Sequence, residues 1–484
     1  MSDAIKGLKP ERLWEYFAEI AKIPRCSKHE AKMTEYVVKT AKKLGLEAQA
    51  DNVGNVVVRK PASPGKQKVP SVCLQGHLDM VCEKNKDKVH DFEKDPIELV
   101  RKQNVIMANG TTLGADNGIA IATSLAIMED KTLEHGPMEF LFTVDEETGL
   151  IGANNVGPGF VKSRTLLNLD SEEEGALYVG CSGGRDTTGV WKIDLEAVPA
   201  GAKAAEIKVT GLKGGHSGLE IHKGRGNAIK IIARVLMRLT DLGARLSSVD
   251  GGNKRNAIPR EAEARVFIPK NKWEEAVAAV KDLNATVKAE FATVEPGLSV
   301  TLTELKGGKG KVVKKGLQKK MLRTVLGLPH GVIKMSADIP DLVETSTNVA
   351  VIQTTKKSIS LATSQRSSVE SENAEICLAV ASVFELGGAV VEGGSGYPGW
   401  KPNLGSNILK LAKSTYKSMH GKDPEVKAIH AGLECGIIGA KIPGMDMVSM
   451  GPTLEGVHSP DEKIYIDTVE KFWDFLLAVL KNVK

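Results

Sequence analysis

The stretch Val72-Cys-Leu-Gln-Gly-His-Leu-Asp-Met-Val81 constrains this chain more than any other, because an apolar strand there runs directly into His77 and Asp79. Alternate side chains of an extended backbone point the same way, so the two leave the strand end on a common side. An imidazole followed at i+2 by a carboxylate suits a metal ligand with an orienting carboxylate beside it. Alone, His-x-Asp is more often an ordinary strand that ends in polar residues. The rest of the chain decides between the two.

Two further apolar runs end in the same manner. Residues 138–144 lead into Asp145-Glu146-Glu147-Thr148-Gly149, and residues 165–169 into Asp170. Between the first two strands, Thr111-Thr-Leu-Gly-Ala-Asp-Asn-Gly118 is a glycine-punctuated turn before an apolar helix over 119–128. Asp116 thus falls at or just before a helix N-terminus, where a carboxylate is favoured. Upstream, Leu13, Phe17 and Ile20, then Met33, Val37, Ala41 and Leu44, recur at helical spacing and predict two helices broken at Ile23-Pro24. The charged segment after Val81 reads as irregular. Helices alternating with strands that end in acids describe an open α/β sheet with its site outside the strands' carboxyl ends.

At 484 residues the chain exceeds what one hydrophobic core usually supports. From about Asp186 the texture becomes β-α-β-α-β, with helices expected over 227–239, 273–287 and 373–386, and glycines crowd its end at Gly387-Gly388 and Gly393-Gly394. The expected organisation is a first domain of 1–186 plus 397–484, interrupted by an α+β insertion over 187–396. The tail is assigned to the first domain because a lone late His458 serves an acidic cluster only by folding back to it.

A formal charge of +5, spread over 65 basic and 60 acidic residues, is too dilute for a nucleic-acid footprint. The lysine-rich run from Lys306 to Lys320 has no aromatics for stacking bases and reads as a solvated loop and helix start. No stretch is long enough to span a bilayer, and the N-terminus lacks a continuous apolar secretory core, so no membrane and a cytoplasmic location are expected. Six cysteines without a CxxC pair predict reduced thiols, with Cys73 and Cys82 as small buried hydrophobes.

Collected, the candidate metal ligands are His77, Asp116, Glu147, Asp170 and His458, with Asp79 and Glu146 as carboxylates left unbound. Two imidazoles and three carboxylates suit Zn2+, Mn2+ or Co2+ better than Mg2+ or Ca2+, which prefer all-oxygen shells. The strings QGHLDMV, TTLGADNGIA, FTVDEETGL, LLNLDSEE and GVHSPDE resemble, in order and spacing over essentially the whole chain, the five metal-site motifs of the M20 metallopeptidases. Within that family of di-zinc exopeptidases they look like the Xaa-His dipeptidase branch.

The resemblance implies a catalytic α/β domain, a mixed sheet flanked by helices, with an inserted lid that also makes a homodimer. It implies two divalent metal ions per subunit, Zn2+ first with Co2+ or Mn2+ as alternatives. His77 and Asp170 would hold one, Glu147 and His458 the other, and Asp116 would bridge them ahead of a cis Asp116-Asn117 peptide. The implied activity is hydrolysis of dipeptides, Xaa-His included, with Glu146 as general base and Asp79 orienting His77. Thr210-Gly-Leu-Lys-Gly-Gly-His-Ser-Gly218 is similar to the family's lid motif, which gives His216 an oxyanion-stabilising role from the partner subunit. Asn256 and Arg366 resemble substrate-binding lid residues, the arginine suited to clamping a terminal carboxylate. Gly432-Leu-Glu-Cys-Gly436 places Glu434 near the substrate's amino end. Two rivals stay open: an N-acyl-amino-acid deacylase with the same ligands, and an inactive metal-binding scaffold. The GADNG and GLECG strings favour the dipeptidase branch, and a scaffold would lack a ligand or the base, none of which is missing.

Overall fold

Four parallel strands form the centre of the sheet that carries the acidic strand ends. In the computed structural model, which describes residues 3–307 and 310–484, the sheet runs in the order Glu47–Ala50, Val56–Lys60, Met138–Thr143, Val72–His77, Thr165–Asn168, Asp446–Ser449, Ala176–Cys181, Glu425–Ile429. Val72–His77 pairs in parallel with Met138–Thr143 and Thr165–Asn168, and Asp446–Ser449 continues the parallel set. The neighbours on either side, Val56–Lys60 and Ala176–Cys181, are antiparallel. All six residues of Val72–His77 and of Met138–Thr143 are buried, as parallel strands covered on both faces require. Gly308 and Lys309 of the lysine-rich run lie outside the described residues.

This sheet belongs to one of two compact units, formed by the chain up to Gly180 with Pro402–Ala428 and Leu433–Lys484. Its helices include Glu11–Ile20 and Ala31–Lys43, which bury Leu13, Phe17 and Ile20, then Met33, Val37 and Ala41, as their spacing predicts. The helix Ala115–Glu129 lies close against the Val72–His77 strand at Gly76. A Cβ there would collide with Asn117 and with Ala120, so only glycine admits the approach.

Two expectations for this unit fail. The charged segment after Val81 holds a hairpin, Leu99–Lys102 with Val105–Ala108, turned by Gln103 at φ 51° and extended by Lys463–Tyr465 into a four-stranded sheet. Its strands are four residues each and mostly half-buried or exposed, so they carry almost no apolar signal. Cys82 is not a buried thiol: it is only partly buried and forms a disulfide with Cys26, Cα to Cα 5.7 Å. A pairing across 56 residues follows from tertiary proximity, here the bridge between Cys26 and Met80, and leaves no mark on local spacing. Cys73 is buried and free, as expected.

The second unit, Cys181–Lys401 with Ile429–Gly432, is built on an antiparallel sheet. Its order is Ser299–Glu304, Ala202–Thr210, Ala262–Pro269, Arg245–Gly251, Val343–Thr354, Ser358–Ser367, Gly183–Lys192, Val390–Tyr397, with Gly331–Met335 beside Val343–Thr354. The helices Ala228–Asp241, Trp273–Glu290, Lys315–Gly327 and Glu370–Leu386 contribute Ile229, Ile232, Leu236, Val280, Met321, Leu322, Val380 and Phe384 to one core. Asn227 caps the first of them, its Oδ1 accepting from the Ile229 and Lys230 amides. Among the described residues no helix is long and apolar enough to cross a membrane.

Candidate metal centre

Three central strands deliver their ends to one place. His77 closes its strand, Glu146 and Glu147 follow Met138–Thr143, and Asp170 follows Thr165–Asn168. Asp116 and Asn117 depart from helical geometry at the start of Ala115–Glu129, and the peptide between them is cis, as the resemblance implies. Asn117 ties this corner to the sheet: its Oδ1 accepts from the His77 amide at 3.2 Å and its Nδ2 donates to the Leu169 carbonyl at 2.9 Å.

Asp116 faces an imidazole on each side. His77 Nε2 lies 3.0 Å from Asp116 Oδ1 and 3.4 Å from Asp170 Oδ1. His458 Nε2 lies 3.1 Å from Asp116 Oδ2 and 2.9 Å from Glu147 Oε2. Two sets of donor atoms therefore gather within 4.8 Å of one another, His77 with Asp116 and Asp170, and His458 with Asp116 and Glu147, sharing Asp116. Glu146 groups with His77 and Glu147.

Residues behind these donors hold them in place. Asp79, fully buried, takes His77 Nδ1 at 3.2 Å, the amides of Glu146 and Glu147 at 3.0 and 3.2 Å, and Ser27 Oγ at 2.8 Å. One carboxylate thus fixes both the imidazole and the Glu-Glu turn, and sets the tautomer of His77 by taking its Nδ1–H. Arg25, which the sequence reading passed over, donates from Nη1 to the carbonyls of Leu78 and Asp79 and from Nη2 to that of Gly114. Glu30, also unanticipated, accepts from the Asp145 amide at 3.0 Å. Glu434 is fully buried, its Oε2 receiving Gln75 Nε2 at 2.5 Å and Thr143 Oγ1 at 2.7 Å. Each of these lies far in sequence from the group it steadies.

Burial is the largest influence on the acids of the centre. It lifts Asp170 to about 6, Glu434 to about 7, and Glu146 well above the carboxylate range, against the opposing charge of His77. Asp79 resists its burial through the His77 contact and the Glu146 amide and falls to about 2. Asp116, held by His458 and His77, is likewise depressed. Hydrogen bonds to Asp116 and Glu147 carry His458 up to about 11. A buried surplus of carboxylate over imidazole calls for added positive charge. Glu147 Oε1, buried without a hydrogen-bond partner, is a donor atom with nothing else to bind. The donor set and its charge fit divalent cations of the borderline class.

The three predicted lid residues lie in the second unit. His216 pairs with Ala257 across a two-residue ladder, and Asn256 is exposed beside it, its carbonyl accepting from the Ser217 amide at 2.8 Å. Both line an open cavity of about 810 Å³, together with Lys208, Thr210, Asp250 and Arg260. Gly218 and Leu219 donate their amides to His216 Nδ1 at 3.2 and 3.0 Å. An Nδ1 that accepts leaves the proton on Nε2. Burial first, and the charge of Arg366 next, push the His216 pKa down to about 4, so the ring is neutral near pH 7. Arg366 is buried and donates from Nη1 to the Tyr397 hydroxyl at 2.9 Å.

A profile of peptidase family M20/M25/M40 matches residues 73–482, and the chain belongs to that family. It is 42% identical over 480 residues to the cytosol non-specific dipeptidase of Escherichia coli K12, covering 99% of both chains. The crystal structure of aminoacylhistidine dipeptidase from Vibrio alginolyticus superposes with a TM-score of 0.91 at 41% identity, over 99% of this chain and 98% of that one. Aminopeptidase PepT from Bacillus cereus shares the fold, with a TM-score of 0.57 at 18% identity over 98% and 99% of the two chains.

Proposed function

We propose that this protein is a cytoplasmic, homodimeric dipeptidase with two divalent metal ions per subunit, Zn2+ first among them, that cleaves dipeptides including Xaa-His. The observation that carries the reading is Asp116 shared between two imidazole-carboxylate sets, with Glu146 beside them. It is supported by the family and by the similarity to the two dipeptidases along nearly the whole chain.

His77, Asp116 and Asp170 would hold one cation and Glu147, Asp116 and His458 the other. Bound there, two divalent cations would supply Lewis acidity to the attacking water and the scissile carbonyl. Glu146, whose burial raises its proton affinity, takes the attacking water's proton and passes it to the leaving amine. Asp79 keeps His77 and the Glu146-Glu147 turn aligned. His216, neutral with its proton on Nε2, donates to the developing oxyanion from the partner subunit's lid. Arg366, with Asn256, receives the terminal carboxylate.

Glu434 separates dipeptidase from deacylase. Its Oε1 is buried without a partner, and a free α-ammonium would satisfy it, whereas an acylated nitrogen carries no charge to meet it. The test is a panel of dipeptides, tripeptides and N-acetyl amino acids assayed with Zn2+, Mn2+ and Co2+. Dipeptides should have the highest kcat/KM. Faster turnover of N-acetyl amino acids would make the protein a deacylase instead.

A further inference from the structure

Glu462 has no part in the reading above, yet it is one of the most fully hydrogen-bonded side chains of the first unit. It is 2% exposed. Its Oε2 accepts from the amides of Leu113 and Gly114 at 2.7 and 2.9 Å, and its Oε1 from those of Ala115 and Asp116 at 2.8 and 3.2 Å. The amides at a helix start have no partner within the helix, and Gly114, the residue before Ala115–Glu129, supplies no side-chain cap. A carboxylate from far along the chain fills that place, on the end of the helix where negative charge is favoured.

The same turn reaches Asp116 twice. His458 meets its carboxylate at 3.1 Å, and Glu462 its amide at 3.2 Å. The turn is stiffened within itself: Glu462 donates its amide to the Ser459 carbonyl, Ser459 Oγ donates to the Gly456 carbonyl, and Asp461 donates its amide to Ser459 Oγ. On the other side of the loop, Arg25 takes the Gly114 carbonyl. Gly114 itself stands at φ 70°, a left-handed position. Asp116 has non-helical φ and ψ of −81° and 107°, so nothing in the helix ladder fixes where its carboxylate points.

We propose that Glu462 is a positioning residue that sets the backbone of residues 113–116 so that Asp116 presents one oxygen to each cation set. It binds no cation itself. Loss of its charge frees the loop to turn, and the shared ligand loses its double register. The inference rests on the two-metal reading, and its test separates the two.

The variants are Glu462→Gln and Glu462→Asp. Glutamine keeps the shape but offers one acceptor where two are needed and aims an amide N–H at backbone N–H donors. Aspartate keeps the charge and shortens the reach by one methylene. Metal-free protein is titrated with Zn2+ against a chelating indicator, the visible spectrum of the Co2+ form is recorded, and Tm is measured without metal. Glu462→Gln should bind at least one of two Zn2+ about 10- to 100-fold more weakly, the range for residues that support metal ligands, with an altered Co2+ spectrum. Its kcat should fall more than its KM rises, and Glu462→Asp should recover part of the affinity. A lower Tm with wild-type affinity and spectrum in Glu462→Gln would reduce Glu462 to a plain helix cap and overturn the proposal. If Glu462→Gln does not fold, wild-type affinity and spectrum in Glu462→Asp overturn it equally. Wild-type protein that binds fewer than two Zn2+ would fail the two-metal reading itself and take this inference with it.

Discussion

The two units differ in how many of their buried polar groups they leave without a partner. Around the metal centre, Asp79 receives four hydrogen bonds and Glu462 four, and the open valences left there are Glu147 Oε1 and Glu434 Oε1. In the second unit, Arg366 Nε, His430 Nδ1, Asn348 Oδ1 and Ser217 Oγ are all buried without a partner. Each such group costs roughly 1 to 3 kcal/mol, so a fold keeps several together where something else satisfies them. The first unit spends most of its buried hydrogen-bonding groups on itself, and the second leaves more of them open.

The largest effect that tests this contrast is metal removal. Dialysis against a chelator should abolish dipeptide hydrolysis and added Zn2+, Mn2+ or Co2+ should restore it; full activity in protein shown to be metal-free would refute the two-metal reading. Next comes Glu146→Gln. It should keep both metals by elemental analysis yet lose about 10²- to 10⁴-fold in kcat, the share that general acid-base catalysis supplies.

His216→Ala moves the test to the second unit. We expect a kcat loss of about 10²- to 10³-fold with metal content unchanged. Mixed under subunit exchange with Glu146→Gln, it should regain activity in the heterodimer; no recovery despite proven exchange would place His216 in its own chain's chemistry or none. Arg366→Ala should act mainly on KM, raising it about 10- to 100-fold, since a hydrogen bond to a charged group contributes about 1.5 to 3 kcal/mol. An unchanged KM would mean that Arg366 does not meet the substrate.

The smallest effect is one of stability and pH. Burial, then Arg366 and His216, press the His430 pKa down to about 3, whereas in an unfolded chain it is about 6.5. The neutral ring therefore stabilises the fold fully above about pH 6.5, and that stability is lost as pH falls toward 3. At pH 5 the loss amounts to about 2 kcal/mol. The drop in Tm from pH 7 to pH 5 should shrink in His430→Gln relative to wild type, and an equal drop in both would refute the assignment.

The parts that sequence made legible are those where one side chain does its work locally. His77, Glu147 and Asp170 stand at the ends of apolar strands, and the spacing of Leu13, Phe17 and Ile20 reports a helix face. What escaped was set at long range. Arg25 and Glu462 act on carbonyls and amides far along the chain, although Glu462 sits in the same short string as His458. The strand Val343–Thr354 escaped for a different reason. Its Thr345, Ser346, Thr347 and Asn348 are buried, so a reading that equates interior with apolar passes over it.

The place of Asp446–Ser449 in its sheet bears on the order of assembly during synthesis. It lies between Thr165–Asn168 and Ala176–Cys181, two strands close in sequence that do not touch each other. Until that strand emerges, the nascent sheet holds an open slot with two unpaired edges. The sheet of the second unit has a slot of its own, since Gly183–Lys192 waits for Ser358–Ser367, but all its strands fall between Gly183 and Tyr397 and emerge before Asp446–Ser449. Unpaired edges are where chains pair wrongly with one another. Chains arrested before Ser449 should therefore aggregate through the slot, and the inserted unit should be the first to acquire protease resistance.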